Sequence, residues 1–253
     1  MRDGYIIRPG ERHGLAGPLD SMLSGTGRVA DDLYLMAHDD RSGKPLLDRR
    51  PLGAGLAAGL LAELMLGEPP AIRLGRGTSV WIAPHVTATA IGRNVLLGQI
   101  AAEPAPLPVR DWLEFLEGAD DKGSAATRVG ARLEEAGYLT TVRRKVNVPG
   151  RPARRVPGDP NWAITPISRA GAALDQRRPP SQYAAVLAGL AAACGLEFRL
   201  TQYLTGGRSP EDVTACLVPD LRTLITQTRI TVSRAVLSHR TRRKPPTRSR
   251  LTS

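Results

Sequence analysis

The longest apolar stretch of the sequence covers residues 51–66 and sets the expected architecture. Four leucines recur in it at every fourth position: Leu52, Leu56, Leu60 and Leu64. This spacing places them along one side of an α-helix. The other positions hold small or apolar residues apart from Glu63. Because a helix without a polar face is stable only inside a protein, we predict a central, buried helix.

Two other interpretations of this stretch are disfavoured. A transmembrane helix needs about 20 apolar residues, whereas this run is shorter and is flanked by Arg49, Arg50 and Glu68. The spelling Gly-x-Gly-x-x-Ala over 53–58 matches the dinucleotide-binding fingerprint, but that motif follows a buried strand. Here it follows the polar segment 48–51, so we interpret the match as accidental.

The remaining pattern predicts more helices and two hairpins. Helices are expected over 30–38, 109–116, 127–136, 163–175, 181–202, 210–224 and 228–239, with 91–100 ambiguous. Hairpins are expected over 71–82 and 139–156. The second helix in this series has its apolar residues on one face: Val109, Trp112, Leu113 and Leu116. We predict a mainly α fold, a helical bundle around the buried central helix with one or two small β-hairpins.

Acidic residues surround the predicted helix over 30–38. Asp31 and Asp32 suit a helix N-terminus, where the dipole favours carboxylates. Together with His38, Asp39 and Asp40 they also suggest a metal site. However, the first two lie nearly two helical turns from His38, and no second histidine is near. We therefore expect solvated helix ends.

The chain divides into three parts by composition. Residues 1–26 are rich in glycine and proline without periodicity and are predicted to form a flexible arm. Residues 27–239 form the predicted helical domain, and 240–253 has too little apolar surface to fold and is predicted to be a basic, disordered tail. Cys194 and Cys216 are too few for a disulfide framework, which indicates a reducing cytoplasm.

The net charge of +11 is concentrated in two segments. The second hairpin contains six cations and no acid over 143–155: Arg143, Arg144, Lys145, Arg151, Arg154 and Arg155. The tail contains six more, which leaves the rest of the chain close to neutral. Such segments indicate an anionic partner, either a lipid surface, a nucleic acid or an acidic protein. The alternative is that the charge serves solubility alone.

Signals for catalysis are absent from the sequence. It contains no phosphate-binding P-loop, no Gly-x-Ser-x-Gly and no His-Glu-x-x-His. Its four histidines are scattered. We expect no catalytic residue, no metal, no cofactor and no enzymatic activity.

The order of four segments resembles the Golgi phosphoprotein 3-like family, bacterial members included. The segments are Ala30–Asp40, Leu52–Leu66, Val109–Leu116 and Arg128-x-x-x-Arg132-Leu133-Glu134-x-x-Gly137-x-Leu139. The resemblance covers roughly residues 27–235. It implies a helical domain in a peripheral membrane protein that binds phosphatidylinositol 4-phosphate and has no established catalytic activity. A hairpin similar in position to 139–156 contributes to oligomer contacts in the family.

The headgroup pocket of the family is not kept. Eukaryotic members use one tryptophan and three arginines, and a gapless alignment places other residues there: Asp48, Ala57, Gly123 and Ala126. Four cations lie close by in sequence: Arg49, Arg50, Lys122 and Arg128. We predict that these four gather at one surface cavity and bind a phosphate group. Scattered, solvated cations are the alternative.

The sequence therefore predicts a peripheral-membrane, lipid-binding protein on the cytoplasmic face of the membrane. Its predicted partner is an anionic phospholipid surface, with protein tails and a second copy of the chain as further candidates, and the basic hairpin as membrane or oligomer contact. The alternative is a nucleic-acid-binding protein in which 127–136 and the basic hairpin form a winged helix. This is disfavoured because Glu134 and Glu135 lie in that helix, which has no Asn or Gln.

Overall fold

The fold is mainly helical, as predicted. The computed structural model describes residues 26–118, 123–142, 154–174, 179–201 and 207–243. Its helices in this part of the chain are α1 Val29–Met36, α2 Arg49–Leu66, α3 Ala88–Arg93, α4 Val95–Ala102, α5 Val109–Gly118, α6 Ala125–Glu135, α7 Ile164–Leu174, α8 Gln182–Cys194, α9 Glu197–Thr201, α10 Pro210–Ala215 and α11 Pro219–Arg243. Its strands are β1 Ile72–Leu74, β2 Val80–Ile82, β3 Leu139–Val142 and β4 Arg154–Pro157.

Helix α2 lies at the centre, which confirms the prediction. Residues 51–62 are all buried, and α2 packs against α1, α5, α6, α8 and α11. Small residues allow this close packing. A Cβ added at Gly59 would lie 2.8 Å from the Cα of Ala30 in α1. Within the described ranges, no helix has both the length and the apolar content that a membrane span requires.

Both predicted hairpins are present as two-stranded antiparallel sheets. In the first, Ile72 pairs with Ile82 across a 3₁₀ turn at Arg76–Thr78. In the second, Leu139 pairs with Pro157, and the turn lies outside the described residues.

Helix α6 ends in a glycine cap. Gly137 adopts a φ of +81°, in the left-handed region that favours glycine. Its N–H group donates to the carbonyl of Glu134, and that of Tyr138 donates to the carbonyl of Leu133. This is a Schellman motif, and it leads the chain directly into β3.

Several predicted helix ends are wrong. The segment 181–202 is broken at Gly195, whose φ of +92° ends α8. The sequence predicts two helices, 210–224 and 228–239, with a break between them. In the structure the break lies before Pro219 instead, and α11 continues without interruption to Arg243, beyond the predicted end at 239. The hydroxyl of Thr228 donates to the carbonyl of Leu224, so this polar residue is accommodated within the helix. The ambiguous region 91–100 spans parts of α3 and α4.

The close approach of α1 to α2 makes Gly59 a test of this packing. In Gly59→Ala, the new methyl group would meet the Ala30 backbone, and separating the helices should cost about 1–3 kcal/mol. That exceeds the gain in helix propensity, which is at most about 1 kcal/mol. We expect a lower free energy of unfolding in urea. The control is Gly171→Ala in α7, where a Cβ meets nothing within 4 Å and stability should rise or stay equal. A Gly59→Ala protein as stable as this control would contradict the packing.

Candidate anion-binding site

A cavity of about 690 Å³ opens between α2, α4 and α6. This volume is typical of small-molecule sites. Four arginines and two glutamates are among its lining residues: Arg28, Arg93, Arg128, Arg132, Glu63 and Glu135. The lining therefore carries more positive than negative charge and is suited to an anion that also has polar groups.

Arg132 lies in the wall of the cavity and is held by hydrogen bonds to two carboxyl groups. Its Nη1 and Nη2 atoms lie 2.9 and 2.8 Å from the two carboxylate oxygens of Glu63. Its Nε and Nη2 atoms donate to Oδ1 of Asp31 at 2.8 and 2.6 Å. Glu63 also accepts the N–H group of Ala30 at 2.9 Å. These residues, which we call the Arg132 cluster, join α1, α2 and α6 at one point.

Asp31 and Asp32 are buried, with 4% and 0% of their surface exposed. The expectation of solvated helix ends is therefore wrong. Asp32 accepts hydrogen bonds from the Tyr183 hydroxyl at 2.8 Å and from the hydroxyl and N–H groups of Thr26. The helix N-terminus favours both carboxylates, but their main partners lie far away in sequence, where the local pattern gave no sign of them.

Burial changes the ionisation of the Arg132 cluster. Removal from water raises the pKa of Asp31 to about 6, although the Arg132 charge opposes the rise. Burial also opposes the charge of Arg132, but Glu63 and Asp31 raise its pKa above the ordinary value. Arg132 is therefore matched by two carboxyl groups, and that of Asp31 titrates near pH 6.

The other arginines are placed to contact a ligand. Arg128 is half-buried, its Nε donates to the carbonyl of Gly123 at 2.8 Å, and burial lowers its pKa. An anion beside it would recover the solvation that burial removes. Arg28 and Arg93 are exposed, and guanidinium groups bind phosphate through two parallel hydrogen bonds. Asn94 already caps α4 by accepting its first N–H groups.

Of the four predicted anion-binding residues, the structure separates Arg128 from Arg49 and Arg50. Arg128 lines the cavity. Arg49 and Arg50 begin α2, and the helical rise places them about 20 Å from Glu63. Arg50 lies 3.7 Å from Glu117. Lys122 falls outside the described residues.

Sequence reasoning missed the other cations at the cavity. Arg28 and Arg93 lie in no periodic segment, so no local signal pointed to them. Arg132 did stand in the fourth segment of the family resemblance, but its position there gave no role.

Of the basic hairpin, Arg154 and Arg155 are described and half-buried. The Nε atom of Arg155 lies 3.1 Å from a carboxylate oxygen of Glu134. A Cβ added at Gly130 would meet the Arg155 guanidinium group at 2.6 Å, so this side chain fastens β4 to α6. Four more of the predicted residues lie outside the described ranges: Arg143, Arg144, Lys145 and Arg151. The membrane or oligomer contact of this hairpin stays a prediction.

Helix α6 is poorly suited to reading nucleic acid. Val129 and Leu133 are fully buried, and Arg132 is bound within its cluster. The helix exposes Ala131 and Glu135 instead. Because a recognition helix needs an exposed polar face for base edges and phosphates, the geometry does not favour the winged-helix alternative.

Removal of the Arg132 side-chain charge tests the cluster. Arg132→Met leaves Asp31 and Glu63 buried without their cation, which should lower the free energy of unfolding by about 3–5 kcal/mol. The control is Arg128→Met, one turn earlier on α6, where the loss should stay below about 1.5 kcal/mol. Urea unfolding measures both. Equal losses would show that the cluster is not the point that joins the three helices.

The raised pKa of Asp31 predicts how stability depends on pH. Between pH 3.8 and about 6 the folded state retains a proton that the unfolded state releases, so the stability contributed by Asp31 falls as pH rises. The stability difference between wild type and Asp31→Asn should therefore shift by about 1–3 kcal/mol against wild type over this window. For Asp39→Asn, the stability difference should shift in favour of wild type as pH rises, because hydrogen bonds from Ser42 lower the pKa of Asp39. Urea unfolding at several pH values measures both, and a pH-independent Asp31 difference would contradict the assignment.

Comparison with known proteins identifies a family. A search of curated proteins finds no match to the sequence. The family model described as Golgi phosphoprotein 3 (GPP34) matches residues 29–215, a span that contains all three residues of the Arg132 cluster. The proteins of this family are known as non-enzymatic, peripheral membrane proteins that bind phosphatidylinositol 4-phosphate. Because the match covers most of the chain, this protein belongs to the Golgi phosphoprotein 3 (GPP34) family.

Proposed function

We propose that this protein docks on the cytoplasmic face of a membrane and binds the phosphorylated headgroup of an anionic phospholipid. The headgroup enters the cavity between α2, α4 and α6. The observation that carries the proposal is the presence of Arg28, Arg93 and Arg128 around one cavity of about 690 Å³, in a protein of a lipid-binding family.

The basic and acidic lining residues contact different groups of the ligand. Arg128 binds the phosphate in the half-buried part of the cavity, and the exposed Arg28 and Arg93 bind it at the rim. Glu63 and Glu135 accept hydrogen bonds from headgroup hydroxyls. A ligand with both phosphate and hydroxyl groups, such as an inositol or glycerol phosphate, uses both kinds of lining residue.

An exposed apolar side chain stands beside the basic rim. Val95, at the start of α4, lines the cavity and is 71% exposed. Its neighbour Arg93 is also exposed. An apolar residue next to cations is the pattern that peripheral proteins use at the membrane interface, where the apolar group enters the acyl boundary and the cations meet the phosphates.

The headgroup class is phosphatidylinositol 4-phosphate or another anionic phospholipid such as phosphatidylglycerol. The positions that correspond to the tryptophan and three arginines of the family's headgroup pocket hold Asp48, Ala57, Gly123 and Ala126 here. Ala57 is also fully buried. We therefore assign recognition to the arginine-lined cavity. Protein tails and a second copy of the chain remain proposed partners of a membrane-bound adaptor.

Substitution of the cavity arginines tests the proposal. Arg93→Gln/Arg128→Gln removes two charge-assisted contacts, each worth about 1.5–3 kcal/mol, and should weaken binding of soluble inositol 1,4-bisphosphate or glycerol phosphate at least about tenfold. Titration calorimetry measures this, and flotation with vesicles carrying each lipid distinguishes the two headgroups. The control is Arg76→Gln on the exposed turn of the first hairpin, which should bind as wild type. Unchanged binding by the double variant would reject the cavity.

A second variant decides between the cavity and the residues predicted from sequence. Arg49→Gln/Arg50→Gln should leave soluble headgroup binding unchanged, because these residues lie about 15 Å along α2 from Leu60, the first residue of that helix in the cavity lining. Loss of binding would instead place the headgroup at the N-terminus of α2. A gel shift with duplex DNA over a salt series tests the nucleic-acid alternative, which requires binding that falls steeply with salt.

A further inference from the structure

Helix α11 runs antiparallel to α2. At its start, Asp220 accepts the N–H group of Leu74 at 2.8 Å, in the strand that follows the end of α2. Three turns later, Val232 packs with Ala54 near the start of α2 and with Leu47 just before it. The last part of α11 therefore extends beside the first residues of α2, at the end of the bundle that is remote from the Glu63 side of the cavity.

The burial of α11 changes after Val232. Before this residue, Leu221, Leu224 and Ile225 are buried in the core. After it, Val236 and Leu237 are 37% and 61% exposed. One exposed face consequently combines apolar and basic residues. Ile230, Arg234 and Leu237 follow at spacings of four and three, so they lie on the same side of the helix, and all three are exposed.

The sequence from this point on has charge of one sign. No acid follows Asp220 to the end of the chain, whereas nine cations do: Arg222, Arg229, Arg234, Arg240, Arg242, Arg243, Lys244, Arg248 and Arg250. At the start of α2, Arg49 and Arg50 are exposed. Asp48 precedes them in sequence and Glu117 lies close to Arg50, so the positive excess at this end of the bundle comes from α11, where Arg234 is exposed.

We infer that this region is a second docking surface for an anionic phospholipid bilayer. The end surface, as we call it, comprises Arg49, Arg50, Arg234, Val236 and Leu237. The inference rests on the proposed function in that both use a membrane, but it assigns a separate contact that recognises the bilayer rather than one headgroup. Val236 and Leu237 enter the acyl boundary, and the arginines meet lipid phosphates around them.

The chemistry of the end surface favours lipid over nucleic acid. A duplex offers phosphates to the arginines but no hydrocarbon for Val236 and Leu237, whereas a bilayer offers both. A basic amphipathic helix end alone gives reversible attachment.

The full chain with Val236→Asp/Leu237→Asp tests the end surface. Flotation uses phosphatidylcholine vesicles with and without phosphatidylglycerol, at low and high salt. We expect the double variant to lose at least about tenfold in partition to the anionic vesicles, since apolar insertion is lost and negative charge is added. Val236→Ser/Leu237→Ser, which adds no charge, should lose less. The matched control is Val218→Asp, which is 49% exposed and directly precedes α11 at its other end, and which should bind as wild type.

Soluble headgroup binding separates this inference from the proposed function. Val236→Asp/Leu237→Asp should bind inositol 1,4-bisphosphate or glycerol phosphate as wild type does, which also shows that it is folded. If Arg93→Gln/Arg128→Gln retains headgroup binding while Val236→Asp/Leu237→Asp no longer binds vesicles, the proposed site is rejected and this inference is supported. Wild-type flotation by the Asp double variant overturns the inference. So does a wild-type protein that shifts duplex DNA but does not bind anionic vesicles.

Discussion

The structure depends on one buried ion cluster. Arg132 on α6 holds Asp31 on α1 and Glu63 on α2 through four short hydrogen bonds. Glu63 also receives the Ala30 N–H group. The side chains of Arg132 and Glu63 keep 25% and 17% of their surface exposed and that of Asp31 keeps 6%, so the cluster has lost most of its water and depends on its own hydrogen bonds. The cluster therefore joins the three helices directly beside the cavity.

Local sequence signals predicted the elements whose cause is local. The apolar run at residues 51–66 required a buried helix because it has no polar face. Val109, Trp112, Leu113 and Leu116 form the buried face of α5 as their spacing requires. Gly137 ends α6 because its left-handed backbone suits glycine. In each case the residues that decide the outcome lie within a few positions of one another.

The site could not be predicted in this way. Asp31 and Asp32 stand at a helix N-terminus, which suggests solvent, and only the distant Arg132 and Tyr183 explain their burial. Proximity in sequence was also a poor guide to which cations lie at the cavity. Arg49 and Arg128 flank the positions of the family pocket, but a helix of 18 residues carries Arg49 to one end of the bundle. Arg93 reaches the cavity from a short helix that has no strong pattern of its own.

Family membership therefore predicts the helical scaffold more directly than it predicts the ligand. The segments that carry the resemblance contain Asp31, Glu63 and Arg132, which join α1, α2 and α6. A scaffold held by its own buried ions does not need a particular headgroup for stability. Its surface cations are then free to change position, provided that positive charge still borders the cavity. On the proposed function, the lining residues of this chain then set its lipid specificity, with Arg128 and Arg93 as the main contacts.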